Sequence, residues 1–435
     1  MKRWKKVTLF ASMMAVLGGL TACGGSDETE TEVVQNGEAT AEVSPEELEG
    51  ELEIWTFFGQ VEDMAAGFEE KYPNVDVNVS VFPGDQYQTK IMTAIQTRTD
   101  VPDIFDLERG YMGKFINQNF VADLSAMGAD ELVEDYVPYV RALGEGENGE
   151  IRAISDHSSP GAFWYHREQA RKYLGTDDPE EISEMVSNWE SIIELGKQVQ
   201  EDSDSEVHLL SHFGDVFNVE KSHQGLWVQD GQLVINPNWE EIINHMREIR
   251  DGGVDAKLGF FSAGWGDALN EGNVIMFAMP AWAGFMVNNE DGKAEEKYGL
   301  AMTPKGYYDG GTYRSIYEGS ENKELAYEFI KYIASAEWQE HNLEATGNMP
   351  GLQTVYENNK DSFTHEFFGD QQLLDVYSDV VMDIPATRST ETDEDISRMF
   401  YDTVAAGVEN NRSNEEIIER FTNEVRNAYP DLQVE

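Results

Sequence analysis

Residues 75–81 alternate without a break: Val75, Val77, Val79 and Val81 are apolar, and Asp76, Asn78 and Ser80 are polar. A period of two marks a strand with one buried face. The rhythm just before it is different. Residues 61–72 carry apolar side chains three or four apart, which predicts an amphipathic helix stopped by Pro73. Residues 52–57 predict a first strand, 87–98 a second helix and 102–106 a third strand. This β-α-β-α-β order argues for an α/β lobe with a mostly parallel sheet, whose ligands bind beyond the carboxyl ends of the strands. Those ends fall at 55–58, 82–86 and 106–109.

A second pattern follows. Residues 149–155 predict a short strand leaving the first lobe, and Phe163-Trp164-Tyr165 opens another α/β series. Helices are expected at 167–173, 188–199 and 239–250, a buried strand at 274–279 and another strand at 313–317. Four helices close the chain, at 323–335, 336–345, 396–410 and 414–428. A single core rarely grows to the roughly 385 residues between position 49 and the end, so two domains are predicted.

Charge and the amino terminus change this picture. With 31 Lys and Arg against 83 Asp and Glu, the formal net charge is -52. Such a field repels nucleic acid and anionic ligands and suits a neutral or a cationic one. The chain opens with Lys2, Arg3, Lys5 and Lys6, then an apolar run over 7–20, then Thr21-Ala22-Cys23. That is the layout of a secretory signal. The run is too short to span a bilayer, which takes about 20 apolar residues. Leu20-Thr21-Ala22-Cys23 resembles the lipobox of bacterial lipoproteins, in which the cysteine takes a diacylglycerol and the signal is cut ahead of it. The alternative is an ordinary signal with an incidental cysteine. Cys23 is the one cysteine of the chain, so no disulfide explains it, and lipidation is favoured. Residues 1–22 are thus expected as signal peptide and 23–48 as lipidated Cys23 followed by a disordered acidic tether, too poor in apolar residues to fold.

Seven segments, in order, resemble the extracellular solute-binding proteins of carbohydrate ABC importers, the maltose-binding-protein type. They are the opening strand with Phe68-Glu69-Glu70-Lys71-Tyr72-Pro73, then Pro102-Asp103-Ile104-Phe105-Asp106, Phe163-Trp164-Tyr165-His166-Arg167, Asn188-Trp189-Glu190, the stretch 272–282, the helix 322–335 and Gly347-Asn348-Met349-Pro350. The family's Tyr-Asn pair is Tyr165-His166 here, so a sugar contact from that asparagine does not carry over. The resemblance implies a two-lobed periplasmic-binding-protein-like α/β fold, each lobe a mostly parallel sheet flanked by helices, with the ligand in the cleft between lobes. Residues 49–156 and 316–349 would form the N-terminal lobe, and 157–315 and 350–435 the C-terminal lobe. The crossings would lie near 155–160, 312–317 and 349–355. The implied protein captures a mono- or oligosaccharide and delivers it to permease subunits. It acts as a monomer at the extracellular face of the cell membrane, held there by its lipid. It performs no catalysis and takes no cofactor and no metal.

A sugar cleft needs flat aromatic faces for pyranose C–H groups and polar side chains for hydroxyls. Trp55, Phe58 and Trp282 stand at strand ends. Trp265 lies in a predicted loop at 262–266, and Trp227 precedes Asp230-Gly231, a hairpin signal. Asp85, Glu108, Arg109, Asp156 and Arg314 follow or flank strand ends, with Tyr313 beside the second crossing. Arg398 matches a region that contributes to the cleft in the family. For each of these a core or surface role is the competing reading. Gly144, Gly146 and Gly149 spell G-x-G-x-x-G, but a strand rather than a helix is expected after them, against a dinucleotide site. His208 and His212 are four apart, but Gly214 follows closely, and a surface loop is the better reading. Two rivals remain: the same fold with a cationic ligand such as a polyamine or peptide, and a secreted glycoside hydrolase, for which no motif speaks.

Overall fold

The computed structural model describes residues 44–434, so the signal, Cys23 and most of the tether lie outside the described residues. The chain lays down β1 (Glu49–Thr56), β2 (Asn74–Val81) and β3 (Ile104–Glu108) before it first crosses over. Then come β4 (Pro160–His166), β5 (His208–Leu210), a hairpin of β6 (Val228–Gln229) and β7 (Gln232–Leu233), β8 (Val274–Pro280), β9 (Tyr298–Ala301), β10 (Tyr307–Tyr308) and β11 (Thr312–Ile316).

The first sheet has the order β11-β3-β1-β2. β1 runs parallel to both neighbours, with Ile54 level with Val79 and Ile104. The helices Gln60–Lys71 and Gly84–Thr97 make the crossovers that parallel pairing requires. β11 returns antiparallel along β3 and sets Arg314 opposite Asp106.

The second sheet has the order β10-β4-β8-β5, with β9 also on β4. Only β5 and β8 are parallel; β4 runs antiparallel to β8, β9 and β10. This sheet is therefore mixed, not mostly parallel as expected. β4 enters from the other half of the molecule, and an alternating β/α pattern carries no sign of the direction in which such a strand enters. Every residue of β4 and β8 is buried. Successive β4 side chains serve opposite faces: Ala162 and Trp164 join the core shared with the first sheet, while Phe163 and Tyr165 face the helices of the second.

The connecting segments lie side by side. Ile154 and Arg314 exchange backbone hydrogen bonds, Ser158 N–H donates to Met349 O at 2.7 Å, and Asp309 N–H donates to Ser159 O at 3.1 Å. Two expectations are corrected here. Residues 149–155 form isolated bridges instead of a strand, because their partners are single residues in other segments. The second passage is Asp309-Gly310-Gly311, earlier than 312–317, since all of β11 belongs to the first sheet. Gly310 and Gly311 have φ of 72° and 123°, backbone that a side chain resists.

Beneath the crossings Arg314 is fully buried between two fully buried carboxylates. Its Nη1 donates to Asp156 Oδ1 at 2.7 Å, and its Nε is 3.2 Å from Asp106 Oδ1. Thr56 Oγ1 donates to Asp106 Oδ2 at 2.7 Å. Trp338 Nε1 and Asn342 Nδ2 both donate to Asp156 Oδ2 at 3.1 Å. Burial alone works to raise the Asp156 carboxyl, but Arg314 and His157 outweigh it and hold it well below the usual range. At Asp106 burial wins and pushes the carboxyl up, against the pull of Arg314. Arg314→Met keeps much of the stem and leaves two carboxylates facing each other out of water. Breaking a buried pair this way costs about 3–5 kcal/mol. Urea denaturation should show that loss, and a change under about 1 kcal/mol, the range of exposed pairs, would remove Arg314 from its central place.

Candidate functional site

The carboxyl ends of β1 and β3, the 309–311 passage and the loops of the second sheet meet at one place. Glu108 caps the helix Arg109–Ile116 by accepting from Gly110 N–H at 2.8 Å, and burial raises its carboxyl. Arg109 pairs with Glu394, donates to Tyr308 Oη at 3.2 Å, and lies over the Tyr308 ring. Lys221 Nζ donates to Asp309 Oδ1 at 2.6 Å. Burial would raise the Asp309 carboxyl, but Lys221 overcomes this and holds it low. Arg109, Lys221, Tyr308, Asp393 and Glu394 line a narrow cavity of about 50 Å³. Arg109 and Lys221 each have a carboxylate partner, and Arg388, a third cation on this lining, donates to the carbonyls of Gly146 and Glu147.

An aromatic surface adjoins this cluster. Trp282 Nε1 donates to the Asp309 carbonyl at 2.8 Å, which fixes the indole beside the passage. Phe261 lies nearly parallel to it at 6.0 Å between centroids, and Phe285 likewise at 6.2 Å. Phe261 is 48% and Phe285 73% exposed, two of the few large apolar residues left in water among the described ones. Exposed aromatic rings grouped around a tryptophan make this a candidate binding surface. Next to Phe285 a cavity of about 280 Å³ is lined by Trp164, Trp282, Phe363, His365 and Tyr377, and reaches Thr346 and Met349.

Of the sequence candidates, the structure brings Glu108, Arg109 and Trp282 to this place. Phe58 is half-buried nearby, with its ring 5.8 Å from the Arg314 guanidinium. Asp156 and Arg314 lie beneath it as supports. Others are corrected. Trp55 is buried under the helix Gly84–Thr97, edge-on to Phe82 with Lys90 above its ring. Trp227 borders the narrow cavity but is buried, enclosed by Trp239, Phe400 and Phe421, and the predicted hairpin after it is present as β6–β7. Trp265 is 1% exposed in the helix Ala263–Glu271, whose Ser262 cap replaces the expected loop. Tyr313 is buried and donates to Val140 O at 3.0 Å. Asp85 is exposed in the first turn of its helix. Arg398 points into solvent beside Asp395. Sequence reasoning missed Tyr308, Asp309, Lys221, Glu394, Phe261 and Phe285. The Gly310-Gly311 pair was the one signal that could have drawn attention to Asp309.

The loop after β5, on the same side of the second sheet, is held by buried acids. Asp215 Oδ2 accepts from Ser211 Oγ at 2.7 Å and from His212 N–H, and Asp255 Oδ2 accepts from Phe213 N–H at 2.9 Å. Burial pushes Asp215 up to about 7 despite these bonds. Below about pH 4 both folded and unfolded chains hold its proton. Between there and pH 7 the unfolded chain releases it while the folded chain keeps it, so stability falls as pH rises. The contribution is on the order of 4 kcal/mol across that window. Asp215→Asn should flatten this part of the pH–stability curve in urea titrations; an unchanged slope would show that Asp215 ionises normally.

Residues 58–340 match the family described as bacterial extracellular solute-binding protein. An arabinooligosaccharide-binding protein of Halalkalibacterium halodurans is 24% identical over 374 residues, which cover 77% of this chain and 80% of that one. A solved extracellular solute-binding protein of family 1 has a TM-score of 0.78 at 19% identity, covering 87% of this chain and 99% of its own. The ABC transporter associated binding protein from B. animalis subsp. lactis Bl-04, solved with β-1,6-galactobiose, has a TM-score of 0.68 at 20% identity, covering 88% and 98%. The two solved structures share the two-lobed α/β fold of this chain. With the family match covering more than half of its length, the chain belongs to the bacterial extracellular solute-binding proteins.

Proposed function

We propose that this protein is the substrate-capturing component of an ABC importer and that its ligand is a neutral oligosaccharide. The observation that carries the reading is the group of Phe261, Trp282 and Phe285 beside a polar cluster in which Arg109 and Lys221 are paired with carboxylates. Aromatic faces cover the C–H faces of sugar rings, and Glu108, Tyr308 and Asp309 supply partners for hydroxyls. The names of the relatives agree: one binds arabinooligosaccharide and another was solved with a galactobiose. The family consists of binding proteins, so the function requires no bond to be made or broken.

The lobes divide at the 154–159, 309–311 and 349–350 segments, somewhat differently from the boundaries read from the sequence. Ligand bridging the two halves favours the closed arrangement, and the permease then recognises that form. The protein works outside the cytoplasm, tethered by lipid on Cys23. Among the described residues no helix is long and apolar enough to cross a membrane, so the tether is the proposed anchor.

Two experiments test this reading. Isothermal titration with arabino- and galacto-oligosaccharides should give saturable binding that Trp282→Ala weakens. Loss of stacking and burial amounts to about 2–3 kcal/mol, or roughly 30-fold or more in affinity. Unchanged affinity in a folded variant would take Trp282 out of the site. Separately, the protein expressed in a bacterium should partition into detergent and carry labelled fatty acid, and Cys23→Ala should lose both. A wild-type protein that stays in the aqueous phase without label would overturn the anchor.

A further inference from the structure

The helices Trp189–Asp202 and Trp239–Asp251 pack side by side, burying Ile192 and Ile193 from one and Ile242 and Met246 from the other. Above that seam stand Glu190, Glu241 and His245. One ligand-type atom from each lies within 4.8 Å of the other two. Glu241 and His245 are four apart on one helix and so share a face. Glu190 comes from the neighbouring helix, with Oε1 3.3 Å from His245 Nε2.

The imidazole is largely enclosed while the carboxylates stand in solvent. The His245 side chain is 13% exposed, whereas both glutamates are exposed. His245 Nδ1 is buried without a hydrogen-bond partner, which leaves Nε2 as the nitrogen that faces the carboxylates. No lysine or arginine among the described residues forms an ion pair with Glu190 or Glu241. Two negative groups therefore converge on one imidazole in a chain with a net charge of -52, which raises the local concentration of cations.

We propose that Glu190, Glu241 and His245 form a binding site for a divalent transition-metal ion of the zinc type, separate from the cleft. One imidazole nitrogen and two carboxylate oxygens make a borderline donor set that suits such an ion. Magnesium prefers oxygen donors in near-ideal octahedral order and retains its waters. Ligand atoms about 2.1 Å from a tetrahedral ion sit about 3.4 Å from one another. Both glutamates are exposed, so rotation of their side chains is the movement this requires. The ion then ties the two helices together, and water fills its open position.

The test uses the full-length protein, stripped with a chelator and titrated with zinc chloride by calorimetry and thermal denaturation. The expected result is a single event of one zinc per chain with a rise in melting temperature, and none with magnesium chloride. Glu190→Gln, at an exposed position that leaves packing intact, and His245→Ala should each lose that event. Absence of zinc binding in the wild type, or an event that persists in a folded Glu190→Gln variant, would overturn the proposal. Saccharide titration of Glu190→Gln should match the wild type, which separates this site from the cleft.

Discussion

One guanidinium ties the first crossing to the first sheet. Arg314 sits on the last strand of the first sheet, and its carboxylate partners come from β3 and from the first crossing. Asp156 extends the network to Trp338 and Asn342, so the helix Ala336–Thr346 joins it as well. Taking three charges out of water is costly, and the cost is offset only when every partner is present. A slipped β11 register would leave a buried charge without its partner, which disfavours that alternative.

The candidate site begins where this rigid base ends. Gly310 and Gly311 follow Asp309 directly, and a methyl group added at Gly310 would lie 3.2 Å from the Trp282 indole. The same short stretch thus permits a change of backbone direction and allows an aromatic wall to approach. Asp309 connects the parts: its carboxylate takes Lys221, its carbonyl takes Trp282, and its N–H reaches Ser159. A displacement of this one residue would shift both the polar and the aromatic wall.

Much of the fold was legible because period and punctuation are local. The alternation at 75–81 became β2, and the helix expected at 414–428 is present as Asn414–Ala428, opened by a Ser413 capping box. The expected helix at 167–173 is likewise present as Arg167–Tyr173. Strand direction in the second sheet was not legible, since pairing partners lie over a hundred residues apart. The tryptophans were harder still. Trp55 lies at the end of β1 and Trp282 just past the end of β8, yet one turns under a helix and the other faces the passage. Which face a strand end presents depends on what packs on it, and that information is tertiary. Glu394 and Lys221 were invisible for the same reason, each being one charge among many until its partner is known.

Charge gives the last connection. Acidic residues outnumber basic ones by 83 to 31, so the two halves repel each other at long range. Yet cations gather where the halves touch. Arg109 pairs with Glu394, Lys114 lies 2.8 Å from Asp395, and Arg388 donates to the carbonyls of Gly146 and Glu147. These contacts join the helix Arg109–Ile116 and the loop after the helix Pro138–Leu143 in the first half to the segment that opens the helix Asp393–Glu409 in the second. Salt screens exposed charges over roughly 10 Å, while close, partly buried pairs are screened much less. Rising ionic strength therefore weakens the repulsion more than the pairs. The acidic surface and the basic seam together make the approach of the two halves a balance that salt tilts toward contact.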